Sequence, residues 1–458
     1  MVSISTKLSL LAFVVAGLIL GGPAAWCGED PRWTAEEAQC HGNLDRMLQV
    51  VAESTPQPHF RTNKNVDRLF VDLKAAGRFE ELGLSDAEGR ILIEAVYAKL
   101  KSDVQSNDPA AGQAQSRSES HRGIMGDSRV SYEPATEFER LKGVLMRWPF
   151  DWGSMKAEWA DMVDALSRAG VTIYMWVNTT AQRDDALSYL NQQGAPVGHI
   201  EWVVEKTNSV WIRDYGPQFV YDDNSNAWGV VDFHYANSRP DDDDTPLFIS
   251  QAAGVPRVNR QTTDVVYTEG GNLNHDGLGC VIYSQRTYSQ NSGVNPAVID
   301  QRVLSAFQSH ANIVPQDPTL DMTGHVDMFL KIVDEDTILV AEYAPNQKDY
   351  QILENCAALM AASTNGNGDP WNVVRIPQPD VYYIFFIIPV VRTYTNSLVA
   401  NDVVLFTSFG INLDQDAYAI YQQVYPGKTL YAIDASAIIR SGGAWHCVTM
   451  EFPNPKNP

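Results

Sequence analysis

Residues 144–177 read VLMRWPFDWGSMKAEWADMVDALSRAGVTIYMWV, and this stretch decides the fold class. Its first five residues are a strand-like apolar run, residues 155–168 carry the period of an amphipathic helix closed by Gly170, and 171–177 are strand-like again. Working outward, the alternation continues with a helix over 181–192 and a strand over 200–204. Further strands are expected at 280–284, 326–333, 337–343, 373–376 and 398–406, the last bent at Asn401-Asp402. Helices are expected at 296–309, 347–362 and 413–424. Repeated strand–helix units place residues 132–458 in the α/β class. No repeat of clear fixed period is visible, so the alternation by itself implies no symmetry.

The preceding residues differ in character. Lys7, an apolar stretch from Leu8 to Leu20, and small residues through Gly21, Gly22, Ala24 and Ala25 have the layout of a secretory signal peptide over 1–26. A secreted or periplasmic location, with no membrane association after signal removal, is the expectation. Residues 27–102 read as a helical segment, with Leu44, Met47, Leu48 and Val51 at helical spacing. Residues 103–131 are polar and small and read as a linker.

The 458 residues include 34 Lys+Arg and 56 Asp+Glu, a formal net charge of −22. That balance argues against nucleic acid or an anionic surface as the main partner and leaves a cationic one open. Five cysteines are too few for a disulfide scaffold.

Polar residues set in glycine-rich breaks are the first candidates for chemistry. His325 and Asp327, two apart on an expected strand behind Gly324, would share a face and could exchange protons or hold a cation. A core histidine beside a surface aspartate is the bland alternative. No further His or Cys falls at ligand spacing, so no metal is expected. Cys447 follows Gly442-Gly443 at the head of a strand-like run; it is a nucleophile only as thiolate, and taken alone an inert core cysteine is the commoner reading. His446 would face away from it and reads as structural. Asp214, beside Trp211, is either a turn former or one wall of a planar-cation site, with Arg213 in a structural ion pair. Glu269, before two glycines, is open between turn and site. The run Asp241–Asp244 reads as a solvated surface turn.

Together these segments resemble the agmatine deiminase and bacterial-type peptidylarginine deiminase family. The resemblance rests on Glu137-Phe138-Glu139 with Gly143 through Pro149, then Trp211-Ile212-Arg213-Asp214-Tyr215-Gly216-Pro217 running to Val220. Glu269-Gly270-Gly271-Asn272, Gly324-His325-Val326-Asp327-Met328, Tyr394-Thr395-Asn396-Ser397 and Gly442 through Thr449 follow in the family's order. The resemblance implies a five-fold pseudosymmetric α/β propeller of the pentein type, with no cofactor. It implies Cys447 as nucleophile on a guanidinium carbon, Asp214 and Asp327 as guanidinium grips, and His325 as proton shuttle. Trp211, Arg239, Asn396 and Glu269 are the implied substrate-binding residues. Arg239 matches one of two arginines that bind a C-terminal arginine carboxylate in the peptidylarginine type, whereas Asn237 stands where the other is expected.

That departure favours agmatine, but the signal peptide and the Gly143–Pro149 segment lean back toward the secreted peptidylarginine type, so arginine in peptide or protein, giving citrulline and ammonia, is the first expected substrate and agmatine the second. A cysteine protease using Cys447, His325 and Asn396 is the remote alternative, and a non-catalytic binding protein would have no use for the thiol. With Cys447 free, Cys27 with Cys40 and Cys280 with Cys356 are the candidate pairs in an oxidising compartment.

Overall fold

The computed structural model describes residues 132–150, 152–222, 228–235, 239–258, 266–384 and 388–454. The readings made on residues 1–131, and on Asn237, lie outside them. The chain divides into two compact units. Of the smaller, the described part includes Tyr382–Ile384 paired antiparallel with Ile388–Val390. Everything below concerns the larger.

The quoted stretch folds as expected. Leu141–Arg147 and Thr172–Val177 pair in parallel, joined by the helix Lys156–Arg168. Val144, Leu145 and Met146 are all buried, as suits a strand covered on both faces. The helix turns Trp159, Met162, Val163 and Leu166 inward at three- and four-residue spacing, and Gly170 ends it with φ +72°. Trp159 Nε1 donates to the Arg147 carbonyl at 2.9 Å, tying helix to strand end. Truncating that fully buried indole to alanine would cost about 3–5 kcal/mol. Ile200–Val204 extends the same sheet beyond a second helix, Thr180–Gln193.

A topology recurs that no fixed sequence period announced. Asn274–His275 pairs antiparallel with Cys280–Ile282, and the helix Pro296–Phe307 leads to a parallel third strand, Ala311–Ile313. Leu330–Ile332, Thr337–Glu342 and Asn372–Pro377 repeat the pattern around the helix Tyr350–Ala361. Leu398–Ala400, Val403–Ser408 and Thr429–Asp434 repeat it around Leu413–Val424. Gln218–Asp222 and Trp228–Val231 do so with the helix Thr245–Ala253 and a parallel bridge from Val230 to Arg257. In the first sheet the antiparallel partner of Leu141–Arg147 is Thr449–Pro453, from the far end of the sequence. Among the described residues, five sheets thus share one strand–strand–helix–strand plan. Their loops differ in length, and that difference hides the period.

Several expectations are corrected. The strand read over 326–333 begins only at Leu330, because Val326–Met328 form a 3-10 turn. The bend at Asn401-Asp402 is a tight hairpin turn, with Asn401 at φ +55°. Cys280 and Cys356 are free buried thiols, one in a strand and one in a helix, so that pair does not form. The acidic run is not merely a solvated turn. Asp242 is buried and accepts bonds from Ser209 Oγ and from the Asn208 and Ser209 amides.

Candidate active site

Six of the candidate side chains sit on turns that lead into a strand of one sheet each. Asp214 lies in the short helix Ile212–Tyr215 before Gln218–Asp222, and Glu269 precedes Asn274–His275. His325 and Asp327 flank Val326 before Leu330–Ile332. Asn396 precedes Leu398–Ala400 by two residues, and Cys447 precedes Thr449–Pro453 by two. These turns are bonded to one another. His325 Nε2 is hydrogen-bonded to Glu269 Oε2, and Asn272 Oδ1 accepts from the Val326 amide at 3.0 Å. Thr395 Oγ1 donates to the Asp327 carbonyl at 2.9 Å, and Asn396 Oδ1 accepts from the Ala444 amide at 3.0 Å. The Arg213 amide donates to the Cys447 carbonyl at 3.2 Å, and the Arg213 guanidinium pairs with Glu451 at 2.6 Å.

Two glycines bring the groups into contact. A Cβ on Gly271 would stand 2.7 Å from His325 Nδ1, 2.8 Å from Asp214 Oδ1 and 3.1 Å from Asp327 Oδ2. A Cβ on Gly443 would stand 2.7 Å from Cys447 Sγ and 2.8 Å from the Trp211 ring. Neither glycine has a left-handed backbone, so closeness of approach explains them. Trp211 is buried against this turn and meets Trp152 edge to face at 5.4 Å between ring centres.

The electrostatics follow from burial. Cys447 is 2 % exposed. Burial, with Asp327 and Asp214 adding, pushes its thiol well above the usual range, against weaker help from the Ala444 amide and Asn396. Asn396 Nδ2 lies 3.1 Å from Sγ, and Sγ lies 3.7 Å from Asp327 Oδ2. Burial would depress the His325 imidazolium, but Glu269 and then Asp214 outweigh it and hold it up to about 10. Burial raises the Asp214 carboxyl to about 8, opposed by His325 and helped by Glu269 and Asp327. Among the described residues, Asp214 Oδ1 and Asp327 Oδ1 are both buried without a hydrogen-bond partner, and His325 Nδ1 faces Asp214 Oδ1 at 3.6 Å. Two buried carboxyl oxygens with unused acceptor capacity beside a thiol suit a planar cation with several N–H donors.

Among the sequence-derived candidates, His325, Asp214, Asp327, Glu269, Asn396 and Cys447 converge. Glu269 meets His325 directly, so its visible work is to hold and charge the imidazole. Arg239 is half-buried; its Nη1 donates to the Tyr235 hydroxyl at 2.9 Å, and it opposes the raised carboxyl of Asp214. His325 and Asp327 converge from a turn rather than a strand. Sequence reasoning missed Glu137, Lys331 and the inward face of His446. His446 Nδ1 lies 2.7 Å from Asp327 Oδ2 and Nε2 lies 3.0 Å from Glu137 Oε2, while Lys331 Nζ donates to both Glu137 oxygens at 2.9 and 3.0 Å. The available signal was Lys331 inside the apolar run Leu330–Val333.

Fold and site define a hydrolase acting on the C–N bonds of amidines. The chain belongs to the Porphyromonas-type peptidyl-arginine deiminase family, whose model matches residues 134–453. It is 28% identical over 293 residues, 57% of this chain and 78% of the relative, to the agmatine deiminase of Pseudomonas aeruginosa (strain LESB58). The solved agmatine deiminase of Enterococcus faecalis superposes with a TM-score of 0.61 at 19% identity, covering 71% of this chain and 96% of its own. That of C. jejuni gives a TM-score of 0.61 at 16% identity, covering 71% and 97%. At those identities the structural likeness speaks for the mixed α/β fold.

Proposed function

We propose that this enzyme deiminates agmatine, yielding N-carbamoylputrescine and ammonia, with Cys447 as nucleophile. The reading is carried by two buried carboxyl oxygens beside the buried thiol that lack a hydrogen-bond partner among the described residues: Asp327 Oδ1, and Asp214 Oδ1, which His325 Nδ1 faces at 3.6 Å. The guanidinium would place N–H groups on both carboxylates, and its charge would favour the thiolate that the empty pocket disfavours. As the guanidinium binds, the thiol proton leaves to bulk water, and Sγ then bonds to the guanidinium carbon. His325, held as imidazolium by Glu269, protonates a nitrogen, and that C–N bond breaks to release ammonia. His325 next takes a proton from water as its oxygen bonds to the carbon of the thiouronium. The C–S bond breaks last as the new hydroxyl gives its proton to bulk water, returning the thiolate and the neutral ureido product.

The preference between substrates moves from peptidyl arginine, the first expectation, to agmatine. Relatives at 26–28% identity carry the agmatine name. Arg239 keeps arginine as the second reading, because a half-buried guanidinium in this neighbourhood suits a carboxylate. In the same proposal, the five sheets close around the site as a five-fold propeller, supported by their shared plan and the chain of bonded leading turns. The secretory reading of residues 1–26 also stays a proposal, checked by fractionating cells that express the full chain.

Purified protein would be given agmatine, free arginine and peptides ending in arginine, with ammonia and ureido product measured. Agmatine should show the highest kcat/KM, and Cys447→Ala should release none. Greater turnover of arginine peptides would overturn the substrate, and ammonia release by Cys447→Ala would overturn the mechanism.

A further inference from the structure

The side chain next to the nucleophile is not a bystander. His446 is buried, and its ring lies between two carboxylates from distant parts of the chain, Asp327 at Nδ1 and Glu137 at Nε2. Its far partner is locked. Glu137 receives both bonds from Lys331 Nζ and one from the Val399 amide, and Lys331 also donates to the Ser397 carbonyl at 2.8 Å. The His446 backbone is held as well, its carbonyl accepting from Arg213 Nε at 3.3 Å and from the Thr449 amide at 3.1 Å. The ring therefore has a fixed partner at Nε2 and a held backbone behind it, and offers Nδ1 to Asp327. Among the described residues, Asp327 Oδ2 has no other hydrogen-bond partner than this ring and the Cys447 thiol at 3.7 Å, while Oδ1 has none.

We propose that His446 is a positioning residue, donating from Nδ1 to Oδ2 of Asp327 so that Oδ1 stays turned to the guanidinium. The role rests on the deimination proposed above. An ionised carboxylate only accepts, so a ring between two of them makes both bonds only with hydrogen on both nitrogens. One turn then carries both the nucleophile and the anchor of the clamp, and a shift of the turn moves thiol and carboxylate together. A 1 Å misplacement costs about 10²-fold in rate, so a rigid anchor has a direct catalytic value.

The test uses two amides that each reproduce one ring nitrogen. In His446→Asn the amide nitrogen stands where Nδ1 stood and keeps the bond to Asp327; in His446→Gln it stands nearer the Nε2 position and keeps the one to Glu137. His446→Asn should lose no more than about 5-fold in kcat/KM, since the donor survives without its charge. His446→Gln should lose about 10- to 100-fold, chiefly in kcat. Equal losses, or a better Gln variant, would overturn the role and leave His446 as mere support for Glu137. Should both variants melt below assay temperature, 15N spectra of the wild-type ring decide: hydrogen on both nitrogens at neutral pH supports the proposal, and a bare Nδ1 overturns it. A wild type that turns over no guanidine would instead sink the deimination reading, and the ring spectrum would still report the bond.

Discussion

Gly271→Ala inserts one methyl group into the centre of the site. To reach the 3.4 Å of an ordinary contact, His325 Nδ1 must retreat by about 0.7 Å, Asp214 Oδ1 by about 0.6 Å and Asp327 Oδ2 by about 0.3 Å. Two of the three cannot move freely: His325 is tied to Glu269, and Asp327 is tied to His446. The backbone at this glycine is not left-handed, so alanine adds crowding and no conformational strain. Overpacking of this kind costs about 1–3 kcal/mol of stability, a loss a domain this size can absorb and still fold. The catalytic loss is larger. Displacements approaching 1 Å cost about 10²-fold, or about 2.7 kcal/mol of transition-state stabilisation. Steady-state ammonia release from agmatine, with a thermal melt on the same sample, reads both quantities. A folded Gly271→Ala enzyme within about 3-fold of wild-type kcat/KM would refute the placement of the guanidinium among these groups.

Three further outcomes are expected. Asn396→Ala removes the donor to Sγ and the acceptor of the Ala444 amide, and kcat should fall roughly 10- to 100-fold; an unchanged kcat would show that the amide only fills space. Lys331→Met takes the lysine from the mostly buried Glu137, which then has only His446 as an ion-pair partner, and urea unfolding should report a loss of roughly 3–5 kcal/mol at pH 7. Because Lys331 and His446 hold that carboxyl below its ordinary 4.5 against burial, the stability it contributes is present above pH 4.5 and lost as pH falls; the variant should show a flatter acid limb, and an equally steep one would exclude Glu137 as its source. For His325 the sign is opposite. Its pKa rises from 6.5 to about 10 on folding, so the stability it adds is complete below pH 6.5 and vanishes as pH climbs through 10. Glu269→Gln should reduce that alkaline loss, measured by urea melts at pH 6, 8 and 10, and an unaltered slope would disprove the coupling.

How much was legible in the sequence divides along distance. Asp214, His325, Asp327 and Cys447 stand in short glycine-bracketed segments, where local pattern reports a turn beside a strand. The support behind them is not local. Glu137 meets Lys331 194 residues away and His446 309 residues away, and no window on the sequence shows such a pairing. Strand alternation was read well where strands are long and apolar, as at 144–177. It failed for Gln218–Asp222 and Trp228–Val231, which went unread, and for 326–333, where a turn occupies apolar residues that periodicity alone assigns to the strand.

The pairing of Thr449–Pro453 with Leu141–Arg147 has a consequence in time. In chain order this strand is the last one described, and the thiol rides two residues ahead of it. On the proposed chemistry, a chain whose last described strand has not paired also lacks the sulfur in its pocket, and cannot attack a guanidine. Under that mechanism the chain stays chemically silent until Thr449–Pro453 pairs with Leu141–Arg147. By the same logic, fraying of that single strand extinguishes the enzyme while most of its helices are still in place.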